Sequence, residues 1–200
     1  PSSLACLTLS LTLTLSSVPA SADDREDPPD ISLEALLGVE VTSASRKTER
    51  LHEVAAAVFV ISREDIERSG ATNIPQALRL APGVEVASLA NNRWAVSVRG
   101  FNNRFGNKLL VLMDGRSIYS PLFSGVLWED NDTLLEDIDR IEVIRGPGAA
   151  MWGANAVNGV INIITRRARD TQGNLLVAGV GSDDGAFAPF RHGGEAGDAL

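Results

Sequence analysis

A small α+β domain, with a mixed β-sheet and short helices, is the fold class this sequence predicts. Three observations carry that reading. Short strand-like segments recur at residues 58–61 (VFVI) and 109–113 (LLVLM), both continuously apolar, and at 141–144 (IEVI) and 160–164 (VINII), each interrupted by one polar residue. Two helix-start signals follow the first run closely and stop at Gly70 and at Pro82-Gly83. Asp114-Gly115, flanked by apolar residues, is a strong two-residue hairpin signal.

The elements follow in order. After the strand at 58–61, Ser62-Arg63-Glu64-Asp65 resembles a capping box, in which the Ser hydroxyl and the acid three residues on satisfy each other's backbone N–H groups. The helix it opens closes at Gly70, and Asn73 caps a second, with Pro75 in its first turn and Gln76 at its third position. Trp94, Val96 and Val98 alternate with smaller or polar residues as a half-buried strand does. Residues 101–108 are rich in Asn and Gly and read as a loop. A strand over 109–113 turns at Asp114-Gly115 and returns over 117–119. Residues 119–128 read as a long loop with Pro121, Gly125 and exposed aromatics, and 133–136 as the start of a short helix. Strands over 141–144 and 160–164 enclose a glycine-rich segment with room for one helical turn near 149–152. The order is β-α-α-β-β-β-α-β-β.

Both ends of the chain differ in texture from this domain. Residues 4–15 form an apolar run, followed by an Ala20-Ser21-Ala22 cleavage pattern, so residues 1–22 read as a signal peptide. The run is shorter than the ~20 residues a membrane-spanning helix needs. Residues 23–30 (DDREDPPD) are charged and broken by proline, as in a linker, and 31–37 have room for one or two helical turns stopped by Gly38. From Gly173, Leu175, Val177 and Val180 alternate with small residues and 182–185 turn, a pattern that suits the first hairpin of a truncated β-barrel. The expected organisation is therefore a signal peptide at 1–22, a linker at 23–50, the α+β domain at 51–171 and the start of a barrel at 172–200.

Composition narrows the function. A formal net charge of -8 argues against a general nucleic-acid binder, which needs a basic face. One cysteine and two histidines give little with which to build a metal site or a nucleophile-base pair, so neither an enzyme nor a metal or other cofactor is expected. Gly148 and Gly153 have the glycine spacing of a phosphate-binding loop, but Ala154-Asn155 stand where Lys and Ser/Thr are needed. Gly146-Pro147-Gly148 opens like a dinucleotide loop, but Met151 occupies the place of the third glycine. Asp137 and Asp139 suit solvated charges at a helix end better than a catalytic carboxylate pair.

Several motifs in one order carry a resemblance. They are Leu78-Arg79-x-x-Pro82-Gly83-Val84, then Val98-Arg99-Gly100-Phe101, then residues 110–115 (LVLMDG), then 139–148 (DRIEVIRGPG) with 151–156 (MWGANA) and 159–165 (GVINIIT). Together they resemble the plug domain of TonB-dependent outer-membrane receptors over residues 39–171. The resemblance implies a domain that sits inside a wide β-barrel in the outer membrane and is remodelled when the periplasmic protein TonB pulls on it. A scarce nutrient, such as an iron-siderophore, cobalamin or a similar chelate, would be imported. The alternative is a solitary exported plug that binds a periplasmic partner, or a gene remnant.

Site residues follow from the same resemblance. Arg99 and Arg145 stand where plug arginines pair with barrel-wall glutamates, although pairing inside the plug is the competing reading. Val39, Glu40, Val41, Thr42, Ser43 and Ala44 stand where the TonB-binding segment lies. An extended edge there can add to a partner's sheet, and an ordinary linker or first strand is the alternative. Asn91, Asn92, Arg93, Asn103, Arg104, Phe105, Tyr119, Phe123 and Trp128 stand in the outward loops that meet a small-molecule ligand. Aromatic rings with Asn and Arg can stack on and hydrogen-bond a chelate, or can pack on the barrel.

Overall fold

The computed structural model describes residues 40–41, 49–50, 57–90, 92–131, 133–181 and 185–194. The signal peptide, most of the linker with its short helix, Val39, Thr42, Ser43, Ala44, Asn91 and the turn at 182–184 lie outside the described residues.

Two short strands, β1 (Glu40–Val41) and β2 (Glu49–Arg50), pair antiparallel, and Val41 is buried. The domain proper begins with β3 (Ala57–Ser62), followed by helices α1 (Arg63–Ser69) and α2 (Ile74–Leu78). A hairpin of β4 (Val84–Ala90) and β5 (Arg93–Val98) comes next, then β6 (Leu109–Met113), β7 (Arg116–Ser117), β8 (Tyr119–Ser120) and β9 (Gly125–Val126). Two 3-10 turns, Trp128–Asp130 and Leu135–Asp137, lead into β10 (Ile138–Arg145), the single turn α3 (Ala149–Trp152) and β11 (Gly159–Thr165). The central sheet runs β3-β10-β11-β6-β7. It is mixed, because β11 pairs parallel with β6 while the other pairings are antiparallel.

Alternation along these strands builds two apolar layers. Ile61, Ile141, Val143, Ile161, Ile163 and Val111 face the main core, where Ile66 of α1, Ile74 and Leu78 of α2, and Trp94, Val96 and Val98 of β5 cover them. The opposite face carries Leu110, Leu112, Ile144 and Val160 under Ala156 and Trp152. With both faces covered, the strands read as continuous apolar runs rather than as alternating ones.

The expected caps are in place. Ser62 Oγ accepts the Asp65 N–H at 3.2 Å, the Asp65 carboxylate accepts the Ser62 N–H at 3.1 Å, and Gly70 ends α1 in the left-handed region at φ 67°. Asn73 caps α2 by accepting the Gln76 N–H at 3.0 Å. Burial acts to raise the Asp65 carboxyl. The hydrogen bonds from Ser62 and the charge of Arg68 outweigh it, so the group titrates below its ordinary value.

Three expectations need correction. Strand β4 was not foreseen, because Glu85, Ser88 and half-exposed neighbours blur its apolar face, and only pairing with β5 makes it a strand. The loop over 119–128 is folded in part, as a two-residue ladder of β8 with β9. The short helix expected at 133–136 is instead a 3-10 turn at Leu135–Asp137, without a capping side chain, and the backbone is already extended at Ile138.

The turn between β6 and β7 is tied across the sheet. Asp114, at φ 50°, accepts the Thr165 N–H at 2.8 Å and the Thr165 hydroxyl at 2.8 Å, and its own N–H reaches Ile163 O at 2.9 Å. Asp and Asn tolerate this left-handed conformation better than most residues do. Asp114→Ala is therefore expected to lower unfolding free energy by about 2 kcal/mol, and Asp114→Asn by less, in urea denaturation of the chain. Variants as stable as the parent would show that the clamp contributes nothing.

Candidate functional site

Three motifs distant in sequence meet at one end of the sheet. Strand β5 runs out into Arg99, Gly100 and Phe101, all left-handed at φ 58°, 87° and 61°. Consecutive residues in this region are costly for side chains with a Cβ and persist only where the surroundings impose them. Arg145 ends β10, and its cross-strand partners are Ala57 on β3 and Gly159 on β11. Its Nη1 donates to Pro82 O at 3.2 Å, and its Cδ would lie 3.6 Å from a Cβ placed on Gly83. The Arg99 guanidinium lies over Gly146, where an added Cβ would meet Nη1 at 3.6 Å.

The two arginines thus share one corner, and neither has an ion pair among the described residues. The Arg145 Nε is buried and has no hydrogen-bond partner there. Guanidinium groups in such a pair can bind carboxylate oxygens bidentately.

A second cluster joins the loops over 102–107 and 119–128. Phe105 and Phe123 stack with centroids 5.7 Å apart and planes at 16°, and the Arg104 guanidinium lies 5.0 Å above the Phe105 ring. Arg104 Nη2 also donates to Glu129 Oε1 at 2.6 Å. Gly125 makes the approach possible, since a Cβ there would sit 2.8 Å from Phe105 Cα. Burial alone would raise the Glu129 carboxyl. Its own backbone N–H, the Arg104 hydrogen bond and charge, and the charge of Arg93 outweigh burial and hold it below its ordinary value. Asn103 Oδ1 accepts the Phe105 N–H at 2.7 Å, which fixes the loop locally.

Among the sequence-named ligand residues, Arg104, Phe105 and Phe123 are therefore brought together, while Arg93 acts on the cluster only through its charge on Glu129. Asn92 is exposed at the β4–β5 turn, and Tyr119 is half-buried in β8. Trp128 departs from the expected exposed aromatic. It is 5 % exposed and belongs to the main core, because the 3-10 turn at Trp128–Asp130 directs its large apolar ring inward. Glu129 was missed. Nothing in its local sequence marks it, since its role comes from an arginine on another loop. Asp137 and Asp139 do not form a carboxylate pair, as Asp137 lies 3.3 Å from Arg191 and Asp139 2.8 Å from Arg140.

Residues 50–160 match the TonB-dependent Receptor Plug Domain family. The chain belongs to this family. It is 38% identical over 152 residues to the vitamin B12 transporter BtuB of Vibrio vulnificus, covering 75% of this chain and 24% of that protein. It is 35% identical over 146 residues to BtuB of Vibrio cholerae, covering 72% and 23%. The chain thus spans about a quarter of the length of these relatives. Among solved structures, the alcaligin outer-membrane receptor FauA of Bordetella pertussis superposes with a TM-score of 0.53 at 26% identity, covering 72% of this chain and 24% of that one. The pyoverdine receptor FpvA of Pseudomonas aeruginosa, at a TM-score of 0.59 and 22% identity over 76% and 21%, shares the fold. The relatives named are transporters and receptors.

The Arg104–Glu129 pair gives a pH signature. A depressed folded-state carboxyl contributes stability that is present above its unfolded value and is lost as pH falls through the folded value. Glu129→Gln is accordingly expected to destabilise the chain at pH 7 and to match the parent once pH drops well below 4.5, the ordinary value for this group. Urea midpoints across pH check this, and a difference independent of pH would remove the ion pair as its cause.

Proposed function

We propose that this chain is the gate and energy-coupling region of an outer-membrane receptor that imports a scarce nutrient chelate with energy delivered by TonB. The observation that carries the reading is the Arg99–Arg145 corner. Two cations without counter-charges among the described residues, held by family motifs, suit a plug that is latched to acidic side chains of a surrounding barrel. A plug inside a water-lined barrel tolerates such polar surface. Barrel glutamates would supply the carboxylates, and the latch would hold the gate shut until it is pulled.

The tail supports the same reading. Strands β12 (Gly173–Leu176) and β15 (Phe190–Gly193) pair around β13 (Gly179–Gly181) and β14 (Gly185–Phe187), as an interrupted hairpin. Leu176, Val180 and Phe190 stand exposed on it at 66%, 87% and 62%, as lipid- or wall-facing residues of barrel strands would. Arg191 ties this hairpin back to Asp137. Upstream, Glu40 and Val41 lie in an extended pair just before the domain, where a partner sheet can take them up by strand addition. The transporters among the relatives favour an import receptor over a solitary binding module.

Two experiments test this in the full-length receptor. Val41→Pro removes a backbone donor from the coupling segment, and is expected to abolish cross-linking to TonB and uptake of the cargo. Normal uptake would sink the coupling assignment. Replacing Arg99 and Arg145 together with Ala is expected to loosen the plug, and to make cells sensitive to large antibiotics that the outer membrane excludes. Unchanged sensitivity would mean the arginines do not latch the gate.

A further inference from the structure

We infer that Arg167 and Arg169 form a collar that binds the phosphate headgroups of anionic phospholipids, where the chain passes from the domain into the membrane. The inference rests on the barrel reading of the tail given above. Its first observation is that the tail hairpin has two unlike faces. Leu176, Ala178 and Val180 are exposed, while Leu175, Val177 and Gly179 between them are half-buried. Strand β15 does the same, with Phe190 and His192 exposed and Arg191 half-buried against Asp137. One row of side chains therefore faces the domain and the other faces away from it. The outward row is not uniform. Leu176 and Phe190 are cross-strand partners, and the neighbouring pair on the same face is Asn174 with His192, whose side chains meet at 2.7 Å. The row thus changes from polar to apolar in one step of about 7 Å along the strand. The outward band of a membrane barrel makes this change at the edge of the hydrocarbon layer, where aromatic rings such as that of Phe190 gather. Asn174 and His192 then stand at headgroup level, and Leu176 stands inside.

Two cations lie just outside that edge. A 3-10 turn at Ala168–Asp170 joins β11 to β12, with Arg167 before it and Arg169 within it, both exposed. Arg167 has no ion pair among the described residues. Arg169 meets its sequence neighbour Asp170 at 3.6 Å, with both side chains open to solvent. A pair of that kind contributes little and leaves the guanidinium free to change partner. The turn itself is fixed. The Arg166 N–H reaches Asp137 O at 2.8 Å, the Thr171 hydroxyl donates to Ala168 O at 3.2 Å, and Arg191 donates to Thr171 O. Two guanidinium groups on a fixed rim match phosphate oxygens, which can accept paired N–H bonds from each. The chain as a whole has a net charge of -8 and is repelled by an anionic surface, so the attraction is local to this rim.

The test uses purified full-length receptor, equilibrated with equal phosphatidylglycerol and phosphatidylcholine, and counts the lipids it retains by native mass spectrometry. The parent is expected to prefer phosphatidylglycerol. Arg167→Gln with Arg169→Gln should lower that preference about fivefold for each arginine lost. Arg167→Lys with Arg169→Lys should keep most of it. Arg68→Gln, which removes a charge from helix α1 of the domain, should change nothing. No preference in the parent, parent-like retention in the glutamine variant, or an equal loss in Arg68→Gln would each overturn the inference, the last by tracing the effect to net charge rather than to the rim. Nitroxides on Leu176→Cys and Val180→Cys, read by their accessibility to oxygen and to a polar nickel chelate, separate the collar from the reading it rests on. Labels that favour oxygen, with lipid retention unchanged in the glutamine variant, remove the collar alone. Labels that favour the nickel chelate place the hairpin in water and remove the barrel reading as well.

Discussion

The structure depends above all on β11 being held from both sides. It pairs antiparallel with β10 through Gly159 opposite Arg145, and parallel with β6 through Gly159 beside Leu109. Only a glycine fits at that junction, since a Cβ on Gly159 would lie 2.5 Å from Ile144 O. A parallel neighbour cannot be reached by a tight hairpin. The chain leaving β6 must therefore make a long excursion before it returns as β11, and that excursion carries the loop with Phe123 and Glu129, then β10 with Arg145. The excursion supplies one half of each cluster, Phe123 and Glu129 to the aromatic one and Arg145 to the arginine corner, while Arg104, Phe105 and Arg99 come from the chain just before β6.

The second face of the sheet shows a compromise in the same strands. Glu142 and Asn162 stand opposite each other in the β10–β11 register and are 0% and 5% exposed. Arg140 Nε meets Glu142 at 2.9 Å, and the Asn162 Oδ1 has no hydrogen-bond partner among the described residues. A buried polar row of this kind is weak evidence for stability, because desolvation offsets much of what the ion pair contributes. The main core on the other face, lined by Ile141, Val143, Ile161 and Ile163, carries the packing. Polar groups in the middle of a sheet are easier to hydrate than an unbroken apolar layer.

Legibility in the sequence followed how local each signal was. The capping box at Ser62, the Asn73 cap, the Asp114-Gly115 turn and the buried strands were all readable, because each is settled by a few neighbouring side chains. Strand β4 was not, since its identity comes from pairing with β5. The site divides in the same way. Arg99 and Arg145 could be named from motifs, but their meeting over Gly146 is a tertiary fact. Glu129 was invisible because its partner, Arg104, lies on a different loop, and Trp128 was misjudged because an aromatic in a loop gives no sign of which way a 3-10 turn will aim it.

Strand β3 lies at the edge of the central sheet and, among the described residues, is bonded only to β10. Its first residue, Ala57, is the partner of Arg145, and its last, Ser62, the partner of Arg140. Tension arriving from the chain before Ala57 therefore meets the sheet as a zipper rather than as a clasp. The first tooth to part is the one beside Arg145, and the teeth nearest the helix cap at Ser62 part last. A pull on the leading segment would thus slacken the corner beside Arg145 first, while most of the core still holds.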